Sequence, residues 1–308
     1  LNLTQYSKME KSIKFASIDI GSNAMRLLFC RVIKDKKNRH TFSKEALFRM
    51  PLRLGEDAFS LGFITDKNIV KLQKTLSAFK LMVDAYDPII YRSCATAALR
   101  NAKNGHSIIE KINESMNLNI EIISGEEEAK IIMSNHIEKH LDQSKNYAYI
   151  DVGGGSTEIS FITKLKKTKS KSFPIGSVRL LKNTITDNDW SKMKKWIINN
   201  KKDIENEIIG IGSGGNINKI FSLSQKKKGE AISINTIYNI IEKIKPLSFE
   251  KRMTKMGMRP DRADVIDHAG SIYLFIMKYL RIEKMIVPES GLPDGIVREL
   301  YKNYLDTN

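Results

Sequence analysis

The chain has 308 residues, 41% of them hydrophobic and 28% charged, and its longest apolar run, 272–277, has only six residues. This length predicts two domains rather than one small module, and so short a run excludes a membrane-spanning helix, which needs roughly 20 apolar residues. Lys and Arg total 51 against 35 Asp and Glu, and the formal net charge of +16 fits either a polyanionic ligand or a surface rich in solvated lysines.

Cysteine usage and the N-terminal segment bear on location. Cys30 and Cys94 form no CxxC pair, which excludes a disulfide framework and a zinc ribbon. Residues 1–15 carry charge without the apolar core of a secretory signal. We therefore expect a cytoplasmic protein with no membrane partner.

An apolar run, a glycine turn and a second apolar run over residues 15–32 predict a β-hairpin. The same pattern recurs over residues 147–163. In both copies an aspartate ends the first strand, and these two residues, Asp19 and Asp151, are 132 positions apart. An internal repeat of this kind predicts two similar domains that face one another.

Strand-like and helical stretches alternate through the rest of the chain. Helical spacing of apolar residues is clear over 66–86, and further helices are predicted over 95–100, 125–140, 187–202, 261–279 and 293–301. Short strands are predicted at 89–91, 207–211 and 285–287. This alternation predicts an α/β fold with domains at 1–124 and 125–308, and it allows the final helix, near 293–305, to pack back on the first domain.

Three glycine-rich segments follow apolar strands, at 21–23, 153–157 and 210–216. Backbone N–H groups of such turns can converge on a phosphate, and neighbouring hydroxyls can add donors. One such segment alone is ordinary turn chemistry, but three in one chain, two of them in equivalent repeats beside an aspartate, favour phosphate binding. GxxxxGK[ST] is absent and no GxGxxG is expected to open a helix, so we expect turns between two strands to hold the phosphate.

Carboxylates cluster beside these turns. Asp151 ends a strand, Glu158 begins the next, and Glu126–Glu128 open a helix. Phosphoryl transfer to water needs carboxylates that hold Mg²⁺ against phosphate oxygens and that orient or deprotonate the water. Acids in a first helical turn also complement the helix dipole, so at least one of the triplet is expected to do only that. Arg100 is a candidate for a bidentate phosphate contact or an ordinary surface arginine.

These residues resemble the exopolyphosphatase and guanosine pentaphosphate phosphohydrolase (Ppx/GppA) family, within the actin, sugar-kinase and heat-shock-chaperone superfamily. The resemblance runs from about Phe15 to Glu299 and is carried by SIDIGSNAMRLL, ATAALRNAKNG, IISGEEEA, YIDVGGGSTEIS, PIGSVRL, GIGSGGNI, RADVI and GLPDGIV. It implies two ribonuclease-H-like α/β domains with an interdomain cleft. It also implies Mg²⁺-dependent (or Mn²⁺-dependent) hydrolysis of the terminal phosphate of polyphosphate, guanosine pentaphosphate (pppGpp to ppGpp), or both.

The family's motifs can be matched to this sequence residue by residue, and the resemblance then implies which residues form the site. The implied catalytic residues are Glu128, Asp151, Glu158 and Arg100. Glu128 is assigned to the attacking water, and Asp151 and Glu158 to metal and water together, with Asp19 as a further metal candidate. The implied phosphate-binding residues are Gly21, Ser22, Asn23, Gly153, Gly154, Gly155, Ser156, Thr157, Gly212, Ser213, Gly214, Gly215 and Asn216.

Longer members of this family continue into a helical extension, whereas this chain stops at Asn308, so we expect distributive cleavage and a preference for short substrates. Two other functions fit the same motifs: an ATP-dependent kinase of the superfamily, and a non-catalytic sensor of guanosine nucleotides or polyanions. No RNP-type aromatic stretch, zinc finger or basic amphipathic helix indicates a nucleic-acid partner. The oligomeric state, including a homodimer, is left open.

Overall fold

The structure, a computed structural model, describes residues 12–35, 37–134, 141–142, 144–163, 166–202, 204 and 206–307. The first elements in chain order are β1 (Ser12–Ile20), β2 (Met25–Lys34), β3 (His40–Met50), α1 (Leu54–Ser60), α2 (Asp66–Tyr86), β4 (Ile90–Ala95), α3 (Ala97–Asn101), α4 (Gly105–Met116), β5 (Ile120–Ile122) and α5 (Gly125–Met133). They are followed by β6 (Asn146–Val152), β7 (Thr157–Thr163), β8 (Lys166–Phe173), α6 (Ser177–Leu181), α7 (Asp187–Lys201), β9 (Ile208–Ser213), α8 (Gly215–Leu223), β10 (Ala231–Ser233), α9 (Ile234–Ile244), α10 (Phe249–Met256), α11 (Pro260–Ala263), α12 (Ile266–Leu280), β11 (Lys284–Ile286) and α13 (Leu292–Thr307).

The strands form two mixed sheets, with orders β3-β2-β1-β4-β5 and β10-β11-β9-β6-β7-β8. In the first sheet β1 pairs antiparallel with β2 and parallel with β4. In the second, β6 pairs antiparallel with β7 and parallel with β9. The internal repeat is therefore confirmed: each sheet has a strand with an aspartate near its end, a hairpin on one side and a parallel strand on the other.

Three apolar cores hold the molecule together. One lies under the first sheet with α1–α4, and another under the second sheet with α7, α8, α9 and α12. The third lies between the sheets, where buried side chains of β1, β2 and β4 and of β6, β7 and β9 meet α5 and α13. Because α13 also packs against β1, β2 and β4, the last described helix covers one face of the first sheet. The division at 124/125 stays a prediction.

The close packing of α5 and α13 depends on a glycine. A Cβ at Gly295 would overlap the backbone of Ile131 in α5, so only glycine allows the two helices to approach this closely. Ring contacts continue the packing at the other end of α13, where Tyr301 lies edge-on to Phe15 with centroids 5.8 Å apart. In the described part of the chain, no helix is both long enough and apolar enough to cross a membrane.

Two sequence predictions need correction. The single helix predicted over 261–279 is α11 and α12, because the chain turns at Asp264 and Val265 and buries Val265 in the core of the first sheet. The glycine segment 210–216 is not a turn between two strands, and its GIGSGG sequence is a GxGxxG that does open a helix after a strand. Gly210 and Gly212 lie inside β9, where a Cβ at Gly212 would lie 2.6 Å from the Met285 sulfur, and the turn at Gly214 leads into α8. Of the helix predicted over 125–140, α5 covers Gly125–Met133, and residues 135–140 lie outside the described residues.

Candidate active site

The glycine turns of the two hairpins meet at the carboxyl ends of β1 and β6. A Cβ at Gly154 would lie 3.0 Å from the Cβ of Ser22 in the opposite turn. A Cβ at Gly155 would overlap the ring of Phe59 in α1 and lie 2.8 Å from Ala97. Glycine is therefore required at these positions for the two halves of the molecule to approach so closely.

The second turn, residues 153–156, has its carbonyl groups occupied, whereas three of its four amide groups have no backbone acceptor in the described residues. Its carbonyl oxygens accept hydrogen bonds as follows: Gly153 from Ser177 N at 3.0 Å, Gly154 from Val178 N at 2.9 Å, and Gly155 from Arg179 Nε at 2.8 Å. The N–H groups of Gly154, Gly155 and Ser156 donate to no backbone acceptor within the described residues. Three unpaired donors on one short turn form a site of the kind that binds an anion.

A third backbone segment completes this wall of the cleft. Gly214 has a φ of 99°, in the left-handed region, and a Cβ there would lie 2.9 Å from Asp151 Oδ1. Gly215 then opens α8, whose first N–H groups lack intrahelical partners and carry the positive end of the helix dipole. The turns after β1, β6 and β9 thus face one cleft, as ligand sites do at the carboxyl ends of parallel strands.

Three buried carboxyl groups and a fourth that is largely buried lie beside these turns. Asp151 stands opposite Glu158 in the β6–β7 ladder. Asp151 Oδ2 accepts a hydrogen bond from Ser213 Oγ at 3.0 Å. Glu158 Oε1 accepts one from Ser172 Oγ at 2.7 Å. Asp19 of β1 is bound by Arg26 Nη1 at 3.1 Å. Glu128 enters from α5, and its Oε2 lies 3.4 Å from Arg100 Nη1.

Burial and mutual repulsion raise the pKa values of these acids. Burial, and less so the charge of Asp151, raises the pKa of Glu158 to about 7, and burial raises that of Asp151 to about 6 against the hydrogen bond from Ser213. The pKa of Glu128 lies well above its usual range because of burial and the charge of Glu158, with Arg100 opposing. Burial also raises the pKa of Asp19, opposed by Arg26. Such a cluster is stabilised by a bound cation or a proton.

Three arginines with no predicted role also line the cleft, beside the turns and carboxyl groups. Arg26 pairs with Asp19 and Arg49 with Asp261. Arg262 makes no ion pair within the described residues, and its guanidinium packs so closely on Gly215 that a Cβ there would overlap it. Burial, together with Arg49 and Arg26, lowers the pKa of Arg262 to about 10. These cations suit an anionic ligand.

A sequence signal existed for two of these three arginines. Arg26 lies in SIDIGSNAMRLL and Arg262 in RADVI, both of which carried the family resemblance. Arg49 lies in no such motif and reaches the cleft only because β3 pairs with β2, with Arg49 opposite Arg26.

The structure brings most of the predicted residues to the cleft wall: Asp19, Gly21, Ser22, Asn23, Glu128, Asp151, Gly153, Gly154, Gly155, Ser156, Gly214, Gly215 and Asn216. It does not bring Arg100, Thr157, Glu158, Gly212 or Ser213 there.

Three of the residues that miss the wall are engaged elsewhere. Thr157 Oγ1 donates to the Ile175 carbonyl at 2.6 Å, Ser213 Oγ donates to Asp151, and Arg100 Nη1 donates to the Ile123 carbonyl at 2.7 Å. Thr157 and Ser213 are fully buried. Their hydroxyl groups hold the protein together rather than face a ligand, and Arg100 faces Glu128 rather than the open cleft.

The cleft consists of two adjoining cavities that share the three arginines. The inner cavity has a volume of about 80 Å³ and is lined by the glycine turns and carboxylates. The outer cavity measures about 340 Å³. Its wall adds cationic and apolar side chains, among them Lys44, Lys219, Arg259, Leu47 and Met258. A ligand can thus place a small anionic group inside and a larger group outside.

The donor chemistry of the inner cavity fits Mg²⁺ bound together with a phosphate. Within the described residues no group of three or more His, Cys, Asp or Glu side chains is arranged to hold a metal ion. Mg²⁺, however, is often held by one or two carboxylates, with phosphate oxygens and water completing the shell. Asp19 and Asp151 line the cavity, as does Asn23, whose Oδ1 is buried with no hydrogen-bond partner in the described residues.

A family model and a curated relative each match most of this chain. The model of the Ppx/GppA phosphatase family matches residues 32–304. A bifunctional 3-dehydroquinate synthase/phosphatase of Fusobacterium nucleatum is 30% identical over 96% of this chain and 48% of its own, so the chain spans about half the length of that relative.

Two solved structures share the fold. The Aquifex aeolicus member of the Ppx/GppA family has a TM-score of 0.73 at 23% identity, covering 96% of this chain and 99% of its own. An exopolyphosphatase from Cytophaga hutchinsonii has a TM-score of 0.76 at 20% identity, covering 94% and 98%. These likenesses confirm the predicted fold class, two actin-like α/β domains around a cleft.

Proposed function

The chain belongs to the Ppx/GppA phosphatase family, and from this premise we propose that it hydrolyses the terminal phosphate of guanosine pentaphosphate, polyphosphate or both. The observation that carries the proposal is the inner cavity, where free amide groups, buried carboxyl groups and arginines face one another. A phosphate that is attacked by water needs all three kinds of group: donors for its oxygens, a base for the water and cations for the charge that develops.

The terminal phosphate is proposed to bind the turn after β6 and the start of α8. The free N–H groups of Gly154, Gly155 and Ser156 donate to its oxygens, and Arg262, which packs on Gly215, adds a charged donor. Because these donors sit on rigid elements and need no reorganisation, they also stabilise charge in the transition state.

Glu128 is proposed as the group that receives a proton from the attacking water. Burial raises the pKa of its carboxyl well above the usual range, and the charges of Glu158, Asp151 and Asp19 add to this rise; a higher pKa makes a carboxylate a stronger general base. Arg100 holds the carboxyl at Oε2, so we assign Arg100 to orienting Glu128 rather than to binding phosphate.

Asp151 and Asp19, with the amide oxygen of Asn23, are proposed to hold Mg²⁺. When bound, the ion would neutralise negative charge on the phosphate oxygens. Glu158 was predicted as a metal ligand with Asp151. Since it lies off the cleft wall and is held by Ser172, we assign it an electrostatic effect on Glu128 and Asp151.

The outer cavity is proposed to take the leaving group. Its cations suit the remaining phosphates of either substrate. The apolar side chains of Leu47 and Met258, and the Asn218 Oδ1 that is buried without a partner in the described residues, suit a nucleoside better than a bare phosphate chain. These features favour guanosine pentaphosphate.

Phosphate release from both substrates, measured side by side with Mg²⁺ and with excess EDTA, tests the proposal. We expect release that depends on metal, needs no acceptor molecule and is faster on guanosine pentaphosphate. Release only when an acceptor sugar is present would instead indicate the kinase, and binding without release would indicate the sensor. The cytoplasmic location stays a prediction.

A further inference from the structure

Arg92 lies in β4, outside the cleft, and binds three glutamates from three different elements. Its Nη2 donates to Glu121 of β5 at 2.7 Å and to Glu127 of α5 at 2.6 Å, and its Nη1 donates to Glu299 of α13 at 2.7 Å. Its side chain is only 18% exposed. One guanidinium therefore ties the first sheet to both helices that lie between the two sheets.

The acidic triplet at the start of α5 is divided among three environments. Glu126 is exposed to solvent, Glu127 binds Arg92, and Glu128 lies beside Arg100 in the cleft. The Ser124 hydroxyl caps the same turn by accepting from Glu127 N at 3.0 Å. Successive residues of an α-helix are rotated by roughly 100°, so a restraint on Glu127 also fixes the direction of Glu128.

We propose that Arg92 is a positioning residue for the reaction: by holding Glu127, it sets the rotation of the first turn of α5 and so directs Glu128 into the cleft. This inference rests on the proposed role of Glu128. The planar guanidinium suits the task because it presents several donors in a fixed geometry, and here those donors reach β5, α5 and α13 at once.

A purely structural role for Arg92 makes a different prediction. If Arg92 only anchored α13 to the first sheet, its contact with Glu299 would contribute most to stability. Loss of the contact with Glu299 or of the contact with Glu127 would then lower stability without a specific effect on turnover. If Arg92 positions Glu128, the contact with Glu127 controls turnover, because misplacement of a catalytic group by about 1 Å can cost up to roughly 10²-fold in rate.

The test compares phosphate release and melting temperature for Arg92→Gln, Glu127→Gln, the double variant, Glu299→Gln and Glu128→Gln. Glu126→Gln is the matched control, since it removes an identical carboxylate from the same turn. We expect kcat to fall about 10-fold for Arg92→Gln and Glu127→Gln with KM unchanged. The kcat of the double variant should be no lower than that of either single variant, because the two substitutions remove the same contact. Glu126→Gln and Glu299→Gln should keep wild-type kcat.

The outcomes separate this inference from the function on which it rests. If Glu128→Gln is inactive while Arg92→Gln and Glu127→Gln turn over at the wild-type rate, Arg92 is not a positioning residue and the proposed function stands. Lower melting temperatures in Glu299→Gln and Glu127→Gln with wild-type kcat in both would assign Arg92 to structure alone. An active Glu128→Gln would overturn the role of Glu128 itself, and the inference with it.

Discussion

Arg26 and Glu158 occupy equivalent positions in the two hairpins, 132 residues apart. Arg26 stands opposite Asp19 in the β1–β2 ladder, and Glu158 stands opposite Asp151 in the β6–β7 ladder. The repeat thus gives the first aspartate a cationic partner and the second an acidic one. The negative charge that lacks a cationic partner in its own hairpin therefore belongs to Asp151 and Glu158.

This charge should make the stability of the metal-free protein fall as pH rises. The pKa values of Asp151 and Glu158 rise in the folded protein from 3.8 and 4.5 to about 6 and 7, so the folded state binds more protons than the unfolded state over this range. The stabilisation is fully present below the unfolded values and is lost as pH rises through the folded ones. Melting temperatures in EDTA should show this loss, and Glu158→Gln should reduce it. Glu126→Gln should leave the curve unchanged; parallel curves for wild type and Glu158→Gln would contradict the prediction.

Glu128→Gln should lower kcat by roughly 10²-fold or more, because it removes the base while keeping the shape of the side chain. Substrate binding should be retained, since the proposed phosphate donors lie on other elements. Single-turnover phosphate release and equilibrium binding measure the two effects separately. If Glu128→Gln remains near the wild-type rate while Glu127→Gln is inactive, the assignment within the acidic triplet is wrong.

Asp151→Asn should weaken the dependence on Mg²⁺ more than it weakens phosphate binding without metal. The carboxylate is a hard oxygen donor, whereas the amide keeps its size and can still accept from Ser213. A Mg²⁺ titration of phosphate release, beside binding of guanosine pentaphosphate in EDTA, separates the two effects. Full wild-type activity in excess EDTA would contradict the proposed role of Mg²⁺.

Arg262→Gln should raise KM by about 10-fold to 100-fold, the range expected for loss of one hydrogen bond between charged groups. The rise in KM with added salt should also become shallower, because one screened charge is gone. Arg39→Gln is the control, since Arg39 pairs with Asp35 far from the cleft wall. A KM for Arg262→Gln equal to that of the control would remove Arg262 from the proposed phosphate site.

Gly155→Ala should destabilise the protein by about 1–3 kcal/mol, the usual cost of overpacking, and should abolish activity by moving the turn. The new methyl group would overlap Phe59 and lie 2.8 Å from Ala97. Gly153→Ala in the same turn should cost less, because its nearest contact, the Ser156 carbonyl, lies 3.2 Å away. Urea unfolding of both variants measures the difference, and equal costs would contradict the packing argument.

Local patterns predicted the hairpins, the repeat and the main carboxylates. Asp19 and Asp151 could be placed because each ends an apolar run at a glycine turn, which depends only on neighbouring residues. The contribution of Arg49 could not be predicted, since it depends on the pairing of β3 with β2 and on the position of Asp261. The break between α11 and α12 at Val265 also could not be predicted, because the helical spacing of apolar residues continues through it. The chain turns there because Val265 packs into the core of the first sheet.

The position of α13 has a consequence for synthesis of the chain. A ribosome completes the first sheet at Ile122, but the helix that covers one of its faces begins at Leu292, 170 residues later. Until then Phe15, Leu28 and Cys94, all buried in the finished protein, lack their partners in α13. The nascent chain therefore carries an exposed apolar sheet face, a recognised cause of aggregation, while these 170 residues are made, and the first sheet reaches its final packing only after the second sheet has been synthesised.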